Sequence, residues 1–182
     1  MTRLLVFLLS VLASLPLMAL EPGDAAPAFS LQASDGKTYS LADFKGKRAV
    51  VVAWYPKAFT KGCTIECKSL AESGHLIREY DVAYFMASTD AVDVNTRFAE
   101  EQEADFPLLS DPEGKVAKAY DVLMPVMNIA RRITIYIGKD GRILKIDKDI
   151  HPATSAEDIA RTLDELGVAR RESKASVSSP PS

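Results

Sequence analysis

Cys63 and Cys67 are the only two cysteines in this 182-residue chain, and they stand four positions apart. Two thiols within about one helical turn point to redox or metal chemistry. Cys63 falls in the run Pro56-Lys57-Ala58-Phe59-Thr60-Lys61-Gly62-Cys63-Thr64-Ile65-Glu66-Cys67. The apolar stretch 49–55 reads as a buried strand, Pro56 and Gly62 mark a loop, and a helical pattern begins at Thr64. Cys63 therefore lies where a loop enters a helix. Unpaired N–H groups and the positive end of the helix dipole favour an anion there. A thiol so placed is held partly as thiolate, the nucleophilic form. The plain alternative is a buried, inert cysteine; the strand–loop–helix setting argues against it.

The pattern Pro56-x-x-x-Thr60-x-x-Cys63 resembles the active-site signature of the peroxiredoxins. Further segments recur in that family's order: Glu21-Pro22-Gly23-Asp24-Ala25-Ala26-Pro27-Ala28-Phe29, Ser88-Thr89-Asp90, Phe106-Pro107-Leu108-Leu109-Ser110-Asp111-Pro112, Ala119-Tyr120-Asp121-Val122 and Arg131-Arg132-Ile133-Thr134-Ile135. The chain looks most like the bacterioferritin-comigratory-protein (PrxQ-like) group. The resemblance implies a thiol-dependent peroxidase acting on hydrogen peroxide or organic hydroperoxides. Cys63 would be the peroxidatic cysteine, oxidised to sulfenic acid. Thr60 would hydrogen-bond the peroxide and the thiolate. Arg132 would hold the thiolate and stabilise charge on the departing oxygen. Pro56 would shape the pocket and keep water out. Cys67 would resolve the sulfenic acid as an intramolecular disulfide, recycled by a thioredoxin-like donor. The chain departs from the group's usual spacing by one residue: three residues separate its cysteines, and Lys68 stands where the second is usual. A one-cysteine mechanism with an external thiol is the alternative. No metal, haem or flavin is implied.

Each residue also has a plainer reading. Pro56 could simply end a strand, Thr60 could be a loop residue, and Arg132 a solvated strand end. Arg131 competes with Arg132, whose distance from the following strand favours it. Glu66 reads equally well as a first-turn carboxylate capping free N–H groups. Lys57 and Lys61 add positive charge or merely solvate a loop. Two rival functions remain. An exported copper-binding thioredoxin-fold protein also separates its cysteines by three residues, and would need His75 or His151 as a further ligand. A thiol–disulfide oxidoreductase would resemble C-x-x-C and carry proline where Arg132 stands.

These residues need a scaffold, and the periodicity supplies an α/β one. Residues 29–32 and 38–41 flank Ser34-Asp35-Gly36-Lys37, an N-terminal β-hairpin signal. Residues 49–55 and 82–87 are buried strands, and 133–137 and 143–146 form a hairpin turning at Lys139-Asp140-Gly141. Helices are predicted over 64–80, from Asp90 or Asp93 to about Glu103, after Asp111-Pro112-Glu113-Gly114 to near Tyr120, and from Ser155-x-x-Asp158 to Gly167. The expected fold is thioredoxin-like, a central mixed sheet flanked by helices.

The ends read differently. Arg3 followed by apolar residues 4–17 and the small Ala19 resembles a signal peptide over 1–19. The run is short for a membrane span of about 20 residues. Export to the periplasm, or secretion, follows as an expectation, without lasting membrane association. Residues 20–168 form the single domain, and 169–182 read as a disordered tail. At 47% hydrophobic with a formal charge of −3, the chain can bury a full core and shows no basic stretch suited to nucleic acid. A cysteine pair confined to one helix implies, by resemblance, a monomer.

Overall fold

The structure, a computed structural model, describes residues 19–171. Its strands in chain order are β1 (Ser30–Ala33), β2 (Thr38–Ser40), β3 (Ala49–Trp54), β4 (Val82–Ser88), β5 (Leu108–Ser110), β6 (Leu123–Met124), β7 (Ile129–Ala130), β8 (Ile133–Ile137) and β9 (Ile143–Asp147). The helices are α1 (Lys61–Arg78), α2 (Val92–Glu101), α3 (Lys115–Ala119) and α4 (Ser155–Glu165). Seven strands form one mixed sheet ordered β2-β1-β5-β4-β3-β8-β9, while β6 and β7 pair separately. The N-terminal hairpin β1–β2 joins the sheet through β5, antiparallel.

β3 is buried along its whole length, as a continuous apolar run requires. Val51 and Ala53 pack in a cluster with Leu70 and Ile77 of α1 and Ile159 and Leu163 of α4. Val50, Val52 and Trp54 pack in the other, with Phe29, Phe85, Ile135 and Tyr120. Helix α1 buries Cys63, Cys67, Leu70, Gly74 and Ile77, the spacing of one helical face. A Cβ at Gly74 would lie 2.5 Å from the Tyr84 hydroxyl, so α1 approaches β4 more closely than a side chain there permits.

The register brings three connections to one sheet edge. Trp54, the last residue of β3, is opposite Ala87 near the end of parallel β4 and opposite Ile133, the first residue of antiparallel β8. The loops leaving β3 and β4 and the segment entering β8 therefore converge.

The structure departs from the sequence reading at several points. Helix α1 begins at Lys61, three residues before Thr64, with Thr60 as N-cap. The N-cap of α2 is Ala91, so neither Asp90 nor Asp93 caps it. The N-cap of α4 is Thr154 rather than Ser155, and the Thr154 hydroxyl donates to Asp158 at 2.7 Å. β5 and the β6–β7 pair carry too few residues to show a period. Residues 169–171, read with the disordered tail, are tied down: Asp81 N–H donates to the Ala169 carbonyl and Arg171 N–H to that of Glu79, both at 2.7 Å. The rest of the expected tail, 172–182, and the expected signal peptide through residue 18 lie outside the described residues.

Candidate active site

Cys63 is the third residue of α1 and is fully buried. The Thr64 N–H donates to the Thr60 carbonyl at 2.9 Å, so the N–H groups of Lys61, Gly62 and Cys63 precede the first intrahelical bond. The sulfur thus sits within the positive first turn, as the sequence reading required, but inside the helix rather than at its entrance.

Arg132, just ahead of β8, reaches this turn from across the sheet edge. Its Nη2 stands 3.1 Å from Cys63 Sγ, and its Nη1 pairs with Glu66. Its neighbour Arg131 is exposed and its N–H donates to the Val122 carbonyl at 2.7 Å. Gly62 makes the approach possible, since a Cβ there would lie 3.1 Å from Arg132 Nη2. The guanidinium N–H groups can take up negative charge developing beside them.

Glu66 does not cap the helix. It is fully buried against Arg132. Burial pushes its carboxyl up to about 7, although the Arg132 guanidinium and the Ser155 hydroxyl pull it down. Its Oε1 is buried without a hydrogen-bond partner among the described residues. Cys67, one turn beyond Cys63, is also a free, fully buried thiol. Burial pushes it up to about 12, with Glu66 and then Cys63 adding to the shift. In the closed helix it is therefore a protonated, poor nucleophile.

Thr60 is exposed and its hydroxyl donates to the Lys57 carbonyl at 2.9 Å. The oxygen lone pairs stay free to accept a bond, while the hydroxyl proton is engaged. Pro56 is half-buried and follows Tyr55, whose N–H donates to the Ala87 carbonyl at 2.9 Å. Phe59 adopts a left-handed φ of +63° and lays its ring edge-on to Phe98, centroids 5.1 Å apart.

Asp90 is part of this site although the sequence reading placed it at a helix cap. Its carboxylate accepts the Ala58 N–H at 2.8 Å and pairs with Lys57, so Lys57 is not a free charge beside the thiol. The signal available was Ser88-Thr89-Asp90 itself, one of the recurring segments, sitting at the end of a buried strand.

The histidines of the copper reading are dispersed: His75 lies in the last turn of α1, and His151 is exposed beside Asp158. Among the described residues no group of three or more His, Cys, Asp or Glu is placed to hold a metal ion.

The AhpC/TSA family profile matches residues 22–146. The chain is 32% identical over 155 residues to peroxiredoxin Bcp of Bacillus subtilis, covering 82% of this chain and 98% of that protein. It is 35% identical over 136 residues to peroxiredoxin Bcp of Escherichia coli, covering 71% and 86%. Among solved structures it resembles peroxidoxin BcpB from Mycobacterium tuberculosis, at 28% identity and a TM-score of 0.71 over 80% of this chain and 97% of that one. The fold also matches a PrxQ mutant from Xylella fastidiosa, with a TM-score of 0.74 at 23% identity over 82% and 99%.

Proposed function

This chain belongs to the AhpC/TSA family and is a peroxiredoxin, a thiol-dependent peroxidase, and from that premise we propose that Cys63 is its peroxidatic residue. The observation that carries the assignment is the Arg132 guanidinium 3.1 Å from a sulfur in the first turn of α1. The Cys63 thiolate attacks one peroxide oxygen, the O–O bond breaks, and the departing oxygen leaves as water or alcohol after taking a proton. Cys63 is left as sulfenic acid. Arg132 stabilises the anion before attack and the departing oxygen during it. The Thr60 lone pairs accept the peroxide hydrogen, and Pro56 limits water at the pocket mouth.

Cys67 then attacks the sulfenic sulfur, water leaves, and an intramolecular disulfide forms. On a formed helix the two Cβ atoms are about 5–6 Å apart, whereas a disulfide needs about 3.5–4.5 Å. The first turn of α1 must therefore open. A thioredoxin-like dithiol returns two electrons to restore both thiols. The site's rim suits a protein donor. All four large hydrophobic side chains exposed among the described residues, Phe59, Ile65, Val126 and Met127, are in the segments flanking Cys63 and Arg132. The turn holding Val126 and Met127 is fixed beside the loop after β4, where the Thr89 hydroxyl donates to the Asn128 carbonyl at 2.6 Å. Because Cys67 lies on the helix of Cys63, resolution needs no second subunit, and the protein is read as a monomer; sedimentation equilibrium tests this.

The N-terminal segment 1–19 is read as a signal peptide that exports one domain, beginning at residue 20, to the periplasm or beyond. N-terminal sequencing of the protein from that fraction tests it, and a retained Met1 would exclude cleavage.

The deciding experiment is the intact mass of the reduced mature protein before and after one equivalent of hydrogen peroxide. Loss of two mass units that Cys63→Ser abolishes supports the two-cysteine mechanism. A gain of sixteen trapped by dimedone assigns sulfenic acid without internal resolution. No rapid change overturns the reading.

A further inference from the structure

We propose that Asp90 is a positioning residue for peroxide reduction: it holds the loop 56–60 in the conformation that aims Thr60 and the first turn of α1 at substrate. The inference rests on the assignment of Cys63 above. Asp90 is 2% exposed. Its Oδ2 accepts the Ala58 N–H at 2.8 Å and the Ser88 hydroxyl at 3.2 Å, and its Oδ1 pairs with Lys57 Nζ. Asp90 is itself fixed, because its N–H donates to Ser88 Oγ at 3.1 Å and Ser88 is in register with Ser110 in the sheet. A buried carboxylate on the rigid end of β4 thus grips the loop that leaves β3.

The loop needs such a grip. Phe59 has a left-handed backbone, which a bulky residue keeps only when its surroundings impose it. Asp90 anchors the peptide on one side of it, and the contact of its ring with Phe98 anchors the other. The consequence reaches the chemistry through two short steps. The Lys57 carbonyl, next to the anchored Ala58 N–H, orients the Thr60 hydroxyl, and Thr60 is the N-cap of the helix that carries Cys63. Without the anchor the Thr60 hydroxyl loses its fixed partner, while the helix, Arg132 and the thiol remain. Alignment with peroxide fails before thiol reactivity does.

The test uses the full mature chain and its single tryptophan, Trp54, as a stopped-flow reporter of Cys63 oxidation. Asp90→Ala should slow oxidation by hydrogen peroxide about 30- to 100-fold. Alkylation of Cys63 by iodoacetamide, which needs the thiolate but no aligned peroxide, should stay within about twofold. Asp90→Asn, whose amide oxygen can still accept the Ala58 N–H, should recover to within about fivefold of wild type, and Lys57→Met should do the same. If Asp90→Ala does not fold, Asp90→Ser, too short to reach Ala58, is read in its place. A wild-type peroxide rate in Asp90→Ala overturns this inference alone. So does a parallel fall in the peroxide and iodoacetamide rates, which marks a merely structural role. A wild-type chain inert to peroxide overturns the underlying assignment as well.

Discussion

Arg132 Nη2 stands 3.1 Å from Cys63 Sγ although the two are 69 positions apart in the chain. The contact joins an arginine ahead of β8 to the first turn of α1, across the edge where β3, β4 and β8 come into register. The guanidinium is one-fifth exposed, so the interaction is only partly screened by water. Its planar fork serves the sulfur through one nitrogen and Glu66 through the other.

In the proposed mechanism the guanidinium stabilises the departing oxygen beside the sulfur, so Arg132→Ala should lower the rate of Cys63 oxidation about 100-fold or more. Lysine lacks the fork and should rescue it only in part. Stopped-flow oxidation with hydrogen peroxide measures both, and a near-normal Arg132→Ala rate would remove Arg132 from the mechanism.

Gly62 is the residue over which Arg132 passes. A methyl group there meets Nη2 at 3.1 Å, tighter than ordinary contact. Gly62→Ala should displace the guanidinium by a few tenths of an ångström and slow oxidation roughly tenfold. The helix itself should gain slightly from alanine. A slower enzyme with an unchanged or raised melting temperature is the expected pair of results; an unaltered rate would show that Arg132 does not need that clearance.

Glu66 makes stability depend on pH. Burial raises its folded value to about 7 from 4.5, so the folded protein holds this proton more tightly than the unfolded chain does. Its contribution is complete below pH 4.5 and is lost as pH rises through 7. Relative to Glu66→Gln, the wild type should lose on the order of 3 kcal/mol across that window. Urea unfolding at several pH values measures it; no change with pH would remove the effect, and a relative gain in wild-type stability as pH rises would reverse its sign.

Cys67 should resolve only after α1 opens. In the closed helix burial holds its thiol up at about 12. Urea well below the unfolding midpoint should therefore speed disulfide formation several-fold after oxidation, while oxidation of Cys63 itself does not gain. Cys67→Ser should keep the first turnover and lose repeated turnover with a dithiol donor. Quenched-flow mass spectrometry separates the two steps, and a disulfide rate indifferent to urea would remove the opening step.

Much of this is legible in local sequence. The run at β3, the loop from Pro56 and the paired thiols place both cysteines near the start of α1, because apolar runs, prolines and close cysteines are local signals. The distance of Arg132 from Ile133-Thr134-Ile135 favours it over Arg131, and Arg132 is the one that reaches Cys63 Sγ. Helix α1 starts three residues before the predicted Thr64: Gly62 resembles a loop residue, whereas the approach of Arg132 is what requires glycine inside the helix.

By itself the sequence determined the fold class, the family and the position of the cysteine pair. Those rest on periodicity and short motifs, which neighbouring residues encode together. Only the tertiary structure decided that Glu66 pairs with Arg132 instead of capping α1, that Asp90 turns back to Ala58 instead of capping α2, and that Cys67 is sealed from solvent. Each of those outcomes sets a polar group's nearest neighbour against water and against local backbone. Partners brought together by sheet register from 32 and 66 residues away win that competition, and no local pattern records them.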